Sequence, residues 1–289
     1  MLLIRVYCRS SQAGKIRATT GDRLYPFIHI GPLTLGSYGL MVAIGLICAF
    51  FILRADFARR GVSADAEAII GIAGLAGLAG SRLYHLLESP AEFFADPWPQ
   101  LFSTMGFAFA GAIIGGFFAL LLLAKRFKMS PLLMLDAASP AAALGYGIGR
   151  IGCLISGDGD YGKPTNLPWG MAFPNGILPT TESCVQWGAP PDCRVHPTPI
   201  YEFLAAVLIA WLLWRLGARA LKSGAPNGIV FAGYLVLTGA ARYLVEFIRI
   251  NPRSFYGMTN AQAASAVSIL AGVALFVYCR RAAPQKVRA

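Results

Sequence analysis

The sequence predicts an all-α integral membrane protein with seven transmembrane helices, and three observations carry that prediction. Hydrophobic residues fill 56% of the 289 positions and charged residues only 13%, with a mean hydropathy of +0.58, a composition foreign to soluble domains. Apolar stretches long enough to cross a roughly 30 Å hydrocarbon core as helices recur along the chain. The basic residues concentrate in alternate short loops between those stretches, as expected when successive loops face opposite sides of a membrane.

The elements follow in order. Residues 1–33 form an N-terminal segment with Arg5, Arg9, Lys15, Arg17 and Arg23 against a single Asp22. Its opening, MLLIRVYCRSS, lacks a sustained apolar core, so no cleavable signal peptide is expected, and Leu-Ile-Arg-Val-Tyr before Cys8 is a poor lipid-attachment sequence. The spans are placed at 34–53, 68–87, 105–124, 131–155, 198–216, 228–248 and 261–279, and 281–289 is a short tail. Between spans four and five, residues 156–197 are rich in proline and glycine without clear periodicity, and are read as an external cap over a lipid-accessible cavity.

Loop charge sets the orientation. The net charge is +11, and thirteen basic residues lie at or beyond the ends of spans one, three, five and seven, whereas the loops after spans two, four and six hold four. The C-terminus is therefore expected in the cytoplasm, and the N-terminus and cap outside. The basic N-terminal tail argues the other way and is given less weight. Basic residues spread over loops in this way point to a membrane and not to nucleic acid. Cys184 and Cys193 share the cap, where an oxidising compartment would permit a disulfide. Cys48, Cys153 and Cys279 fall in spans and read as small buried hydrophobes. No metal-ligand spacing is present, and neither metal nor cofactor is expected.

Three arginines interrupt the apolar spans: Arg82 in GLAGSRLYHLLE, Arg150 in GIGRIG and Arg242 in TGAARYLVEFIR. Each costs about 2.5–3.5 kcal/mol at mid-helix. Snorkelling accounts for one or two of them near span ends, whereas a shared anionic ligand accounts for all three, since a guanidinium fork grips two phosphate oxygens. Arg242, Glu246 and Arg249 share one helical face, so the carboxylate can orient either arginine. Asp136 lies close to four turns before Arg150, at the other end of span four, and is expected to serve a structural role with another span. The small residues of GIAGLAGLAG read as a close helix-packing face.

These residues resemble the bacterial prolipoprotein diacylglyceryl transferase family. The family signature is similar to Gly149-Arg150-Ile151-Gly152 followed by Gly157-Asp158-Gly159-Asp160-Tyr161-Gly162, and a second motif, His-Pro-x-x-x-Tyr-Glu, to the segment from His196 to Tyr201 and Glu202. Tyr38, Arg82, Asp136, and Arg242 with Glu246 match further family positions, over about residues 26–280. Two positions depart from the family: Phe109-Ala110-Gly111 stands where a His-Gly-Gly element is usual, and Cys153 replaces an asparagine.

The resemblance implies a transferase domain over 34–280 in the bacterial inner membrane. It implies transfer of diacylglyceryl from phosphatidylglycerol to the lipobox cysteine beside a prolipoprotein signal peptide, forming a thioether and releasing glycerol phosphate. Under that reading Arg150, Arg242 and Arg82 bind the phosphate, with Arg249 and Asp158 also at the substrate. Glu246 orients Arg242, while His196, Tyr201 and Glu202 are structural at the start of span five. The thiol's base is left open among His85, which shares a helical face with Arg82, Tyr38 and Asp158; alternatively the arginines lower the thiol pKa enough to make a base unnecessary. A non-catalytic lipid-binding relative would keep the same arginines. A transporter of an anionic metabolite would bury arginines too, but no inverted repeat is visible.

Overall fold

The computed structural model describes residues 26–30, 33–102 and 106–282; most of the expected N-terminal segment, and residues 283–289 of the tail, lie outside them. Two short antiparallel strands, β1 (Phe27–Ile30) and β2 (Leu33–Gly36), precede α1 (Ser37–Arg60) and α2 (Ala66–Glu88). Two short helices, α3 (Pro90–Ala95) and α4 (Pro97–Phe102), lead to α5 (Phe109–Arg126) and α6 (Pro131–Ser156). The cap contains α7 (Thr180–Gln186), and α8 (Thr198–Ser223), α9 (Ile229–Val245) with a 3-10 turn (Glu246–Ile248), and α10 (Asn260–Ala282) complete the chain. Among the described residues, seven helices are long and apolar enough to cross a membrane. The protein is thus the all-α multi-pass membrane protein that its composition predicts.

The boundaries differ from expectation for identifiable reasons. The first span starts at Ser37, not 34, because Leu33–Gly36 pairs with β1. It continues to Arg60, because fully buried Asp56 ion-pairs with both Arg59 and Arg60 and neutralises the charges that a hydropathy reading takes as an end. Arg59 also donates to the Trp214 carbonyl at 2.8 Å and lies 3.9 Å over the Trp214 ring, tying α1 to α8. The fifth span likewise runs on to Ser223, and the seventh absorbs the first residues of the expected tail.

Packing along α2 follows its small residues. A Cβ at Gly80 would lie 2.5 Å from the Gly111 carbonyl oxygen and 3.1 Å from the Gly115 Cα, so α2 and α5 meet backbone to backbone. Leu53, Ile69, Leu123 and Met134 join α1, α2, α5 and α6 in one core cluster, and Ala143, Ile209, Leu213 and Val230 join α6, α8 and α9 in another. Basic residues occupy the last turns of α1, α5, α8 and α10. The alternating direction of the spanning helices along the chain puts all four ends on the face opposite the cap.

Asp136 performs the inter-span task expected of it, but by capping a helix. The N-cap of α9 is Gly228, at φ 104°, which has no side chain to offer. Asp136 accepts hydrogen bonds there from the N–H groups of Gly228 at 2.8 Å and Phe231 at 2.7 Å, satisfying donors that the helix itself leaves open and placing negative charge at the positive end of its dipole. Asp136→Ala is expected to lower stability by about 1–2 kcal/mol, read as a lower unfolding temperature in detergent.

The cap has its own core. Tyr161 and Phe173 stack with ring centroids 4.3 Å apart, both fully buried against Val195 and Cys184. Cys184 and Cys193 form a disulfide.

Candidate active site

The site is built where α6 ends, α8 begins and α9 ends. Arg150 is in the last two turns of α6, one helical turn after Tyr146. The αL residue Gly157, at φ 62°, ends that helix, and Gly159, at φ 91°, turns the chain back so that Asp160 faces Arg150. The chain from Asp160 to Lys163 is then held by two elements. The Thr198 hydroxyl donates to the Asp160 carbonyl at 2.6 Å and the Gly162 N–H donates to the His196 carbonyl at 2.9 Å. On the other side the Lys163 N–H donates to the Ile248 carbonyl at 2.8 Å, and Gly162 pairs with Arg249. His196-Pro197 thus sets the register of the cap against α8, and Glu202, one turn into α8, points into the cluster.

Three guanidiniums and three carboxylates interlock there. Glu202 is central: its Oε2 lies 3.2 Å from Arg150 Nε and 3.4 Å from Arg249 Nη1, its Oε1 pairs with Arg242 Nη1, and the Tyr146 hydroxyl donates to Oε1 at 2.9 Å. Asp160 bridges Arg150 Nη1 and Arg249 Nη2. Glu246 Oε2 lies 3.1 Å from Arg242 Nη2 and 3.6 Å from Arg249 Nε, and its Oε1 accepts from Asn251 at 2.6 Å. Arg150 also lies over the rings of Tyr146 at 4.9 Å and Phe109 at 5.9 Å. Glu202 and Glu246 are buried, with side chains 3% and 0% exposed, whereas Asp160 is 31% and Arg242 24% exposed, so these last two mark the open side of the cluster.

The remaining sequence candidates divide around this centre. Tyr38, at the start of α1, packs on Gly152, where a Cβ would lie 3.1 Å from its ring, and it is electrostatically coupled to Arg150, Cys153 and Asp158. Asp158 lies beside Cys153, its carboxylate within 4.8 Å of the sulfur. The side chain oriented on Arg150 is that of Asp160, two residues after Asp158. Arg82 and His85 gather instead where α2 meets the segment before α5. Arg82 donates to the Gly106 carbonyl at 2.8 Å and lies 5.7 Å over the Phe107 ring, and the His85 ring rests against Gly106. The Tyr201 hydroxyl accepts from Trp169 at 2.7 Å and lies 3.3 Å from His196 Nδ1, latching the cap to α8. Sequence reasoning missed Tyr146 and Asn251 and gave Glu202 only an anchoring role. A hollow of about 750 Å³ lies in the cap, lined by Pro164, Leu167, Pro190 and Arg194 and not by these arginines, whose space their own carboxylates fill.

In the cap, burial and the adjacent charge of Asp160 push the Asp158 carboxyl above the usual carboxylate range. Burial acts the same way on Asp160, but the guanidiniums of Arg249 and Arg150 outweigh it and hold that carboxyl below the usual range. Burial lowers the pKa of His196, which favours its neutral form. Cys153, Asp158 and Asp160 bring potential metal-ligating atoms within 4.8 Å of one another. The two arginines on Asp160 already supply the positive charge a cation would bring.

Seven helices long and apolar enough to cross a membrane, gathering arginine–carboxylate pairs at one end beside a disulfide-linked cap, define a multi-pass membrane protein. The chain belongs to the prolipoprotein diacylglyceryl transferase family, whose pattern it matches over residues 26–278. It is 34% identical over 248 residues to the phosphatidylglycerol–prolipoprotein diacylglyceryl transferase of Clostridium tetani, covering 84% of this chain and 93% of that protein. The proteins of the same name from Geobacter sulfurreducens, at 31% over 77% and 81% of the two chains, and Nitrosospira multiformis, at 32% over 88% and 86%, are similar along most of their length.

Proposed function

We propose that this protein transfers the diacylglyceryl group of phosphatidylglycerol to the lipobox cysteine thiol of prolipoproteins. Family membership supports the reaction class. The observation that carries the reading at residue level is the convergence of Arg150, Arg242 and Arg249 on one another at the capped end of the spans. The reaction is displacement at carbon: the sulfur attacks the glyceryl carbon, a carbon–oxygen bond breaks, and glycerol phosphate leaves with the electron pair. Negative charge then grows on phosphate oxygens, and fixed guanidiniums in a low-dielectric site stabilise it without reorganising. Arg150 and Arg242 hold the phosphate, Arg249 flanks it, and Glu246 and Glu202 fix the planes of the forks. Asp160 is the most exposed of the three carboxylates, which makes it the one able to yield its place to phosphate.

The test is conversion of a lipobox peptide by the purified protein in micelles containing phosphatidylglycerol. Thioether-linked diacylglyceryl peptide is the expected product, and phosphatidylglycerol binding without product would select the non-catalytic reading.

Orientation forms part of the same proposal: inner membrane, C-terminus cytoplasmic, cap outside. It is supported by the basic last turns of α1, α5, α8 and α10 and by a disulfide in the cap. A reporter active only outside the inner membrane is expected to work when inserted within 163–195 and to be silent at 223. The reverse pattern overturns the orientation.

A further inference from the structure

The proposed reaction needs an acceptor for the thiol proton, and Phe109-Ala110-Gly111, where the family usually has His-Gly-Gly, offers none. Each carboxylate of the arginine cluster is also a poor acceptor in context. Asp160, Glu202 and Glu246 are each held by two or three guanidiniums, and a proton on any of them would break an ion pair. One carboxylate beside Arg150 stands outside that lock. Asp158 begins the turn after α6 and takes a hydrogen bond from the Asp160 N–H at 3.2 Å, and its carboxylate lies within 4.8 Å of the Cys153 sulfur. Arg150 Nη1 lies 3.7 Å from the same sulfur. The position of Cys153 thus displays the arrangement that a substrate thiol requires: sulfur near both a carboxylate able to take its proton and a guanidinium that stabilises the thiolate.

We infer that Asp158 is the proton acceptor for the lipobox thiol, the incoming sulfur taking a place beside it close to that of Cys153. The inference rests on the transferase reading above. The groups facing Asp158 are Tyr38 of α1, Arg150 and Cys153 of α6, and Asp160 and Tyr161 of the cap. Burial and Asp160 raise its proton affinity toward that of a thiol, which favours transfer. The step balances: the S–H proton passes to the Asp158 carboxylate as the carbon–sulfur bond forms and the carbon–oxygen bond breaks. The proton then passes from Asp158 to the released glycerol phosphate, restoring the carboxylate.

The test compares lipobox peptides that carry cysteine or selenocysteine, because a selenol is already ionised near neutral pH and needs no base. Full-length wild-type, Asp158→Asn and Asp158→Glu proteins are assayed in phosphatidylglycerol micelles under reducing conditions. The Asn variant is expected to lose roughly a hundred-fold or more of its rate with the thiol peptide and little with the selenol peptide. The Glu variant keeps an acceptor and is expected to fall between. Wild-type rate with the thiol should drop as pH falls through the Asp158 pKa, and this acid limb should vanish in the Asn variant. Equal losses with both peptides, or no loss with either, overturn the inference. Failure of the wild-type protein with both peptides would instead remove the transferase reading beneath it.

Discussion

Arg150→Lys is expected to accumulate as a folded protein and to transfer lipid about two to three orders of magnitude more slowly, equivalent to about 2.7–4 kcal/mol of lost transition-state stabilisation. The geometry explains why retaining the charge is not enough. Arg150 reaches Glu202 through Nε and Asp160 through Nη1, two partners from different elements on different edges of one plane. A lysine ammonium is a single point on a flexible stem, and cannot hold both partners while presenting donors to a phosphate. The measurement is transfer to a lipobox peptide per folded molecule, with folding judged by thermal unfolding in the same detergent. A variant that accumulates poorly but works normally per folded molecule would make Arg150 a structural residue and remove the phosphate clamp.

Glu202→Gln is the second large effect, and here the loss is in stability. The substitution leaves Arg150, Arg242 and Arg249 with two carboxylates instead of three, and removes the one buried oxygen pair that touches all of them. Breaking a buried ion pair from one side typically costs about 3–5 kcal/mol, because the remaining charge stays desolvated. A lower unfolding temperature than wild type is therefore expected in neutral detergent. Phosphatidylglycerol should raise the unfolding temperature of this variant more than that of wild type, because its phosphate supplies the missing negative charge and binds the folded state selectively. Equal stabilisation of both proteins by the lipid would place the phosphate elsewhere.

The spans were legible because a hydrocarbon core demands long apolar helices, and that demand is written in composition alone. Their ends were less so: a hydropathy reading stops at charged residues, although the i,i+3 and i,i+4 spacing of Asp56 with Arg59 and Arg60 allows the pairing that carries α1 on to Arg60. Within the site, Arg242, Glu246 and Arg249 could be read as one unit because they are close in sequence, although the single helical face expected of them is not formed: α9 ends at Val245, and Arg249 follows the 3-10 turn in an extended conformation. Tyr146 was readable on the same principle, four residues before Arg150, and the apolar context drew attention away from it. Glu202 was not readable as the centre, since its partners come from α6 and from the end of α9 and only the tertiary fold brings them together. The choice between Asp158 and Asp160 was likewise set by the turn at Gly157 and Gly159, whose conformation decides which carboxylate faces the arginine.

Asp136 gives the bundle a mechanical property. It fastens α6 to the first turn of α9 at one end of the membrane, while at the other end Arg150 of α6 and Arg242 of α9 grip the same Glu202. A slip of α9 along its axis by a single residue is about 1.5 Å, enough to spoil bonds at both ends together. The two helices therefore behave as a strut pinned at head and foot, resisting the piston-like strokes by which some membrane proteins open. Any rearrangement of the bundle that keeps these bonds leaves the distance between the two pins unchanged.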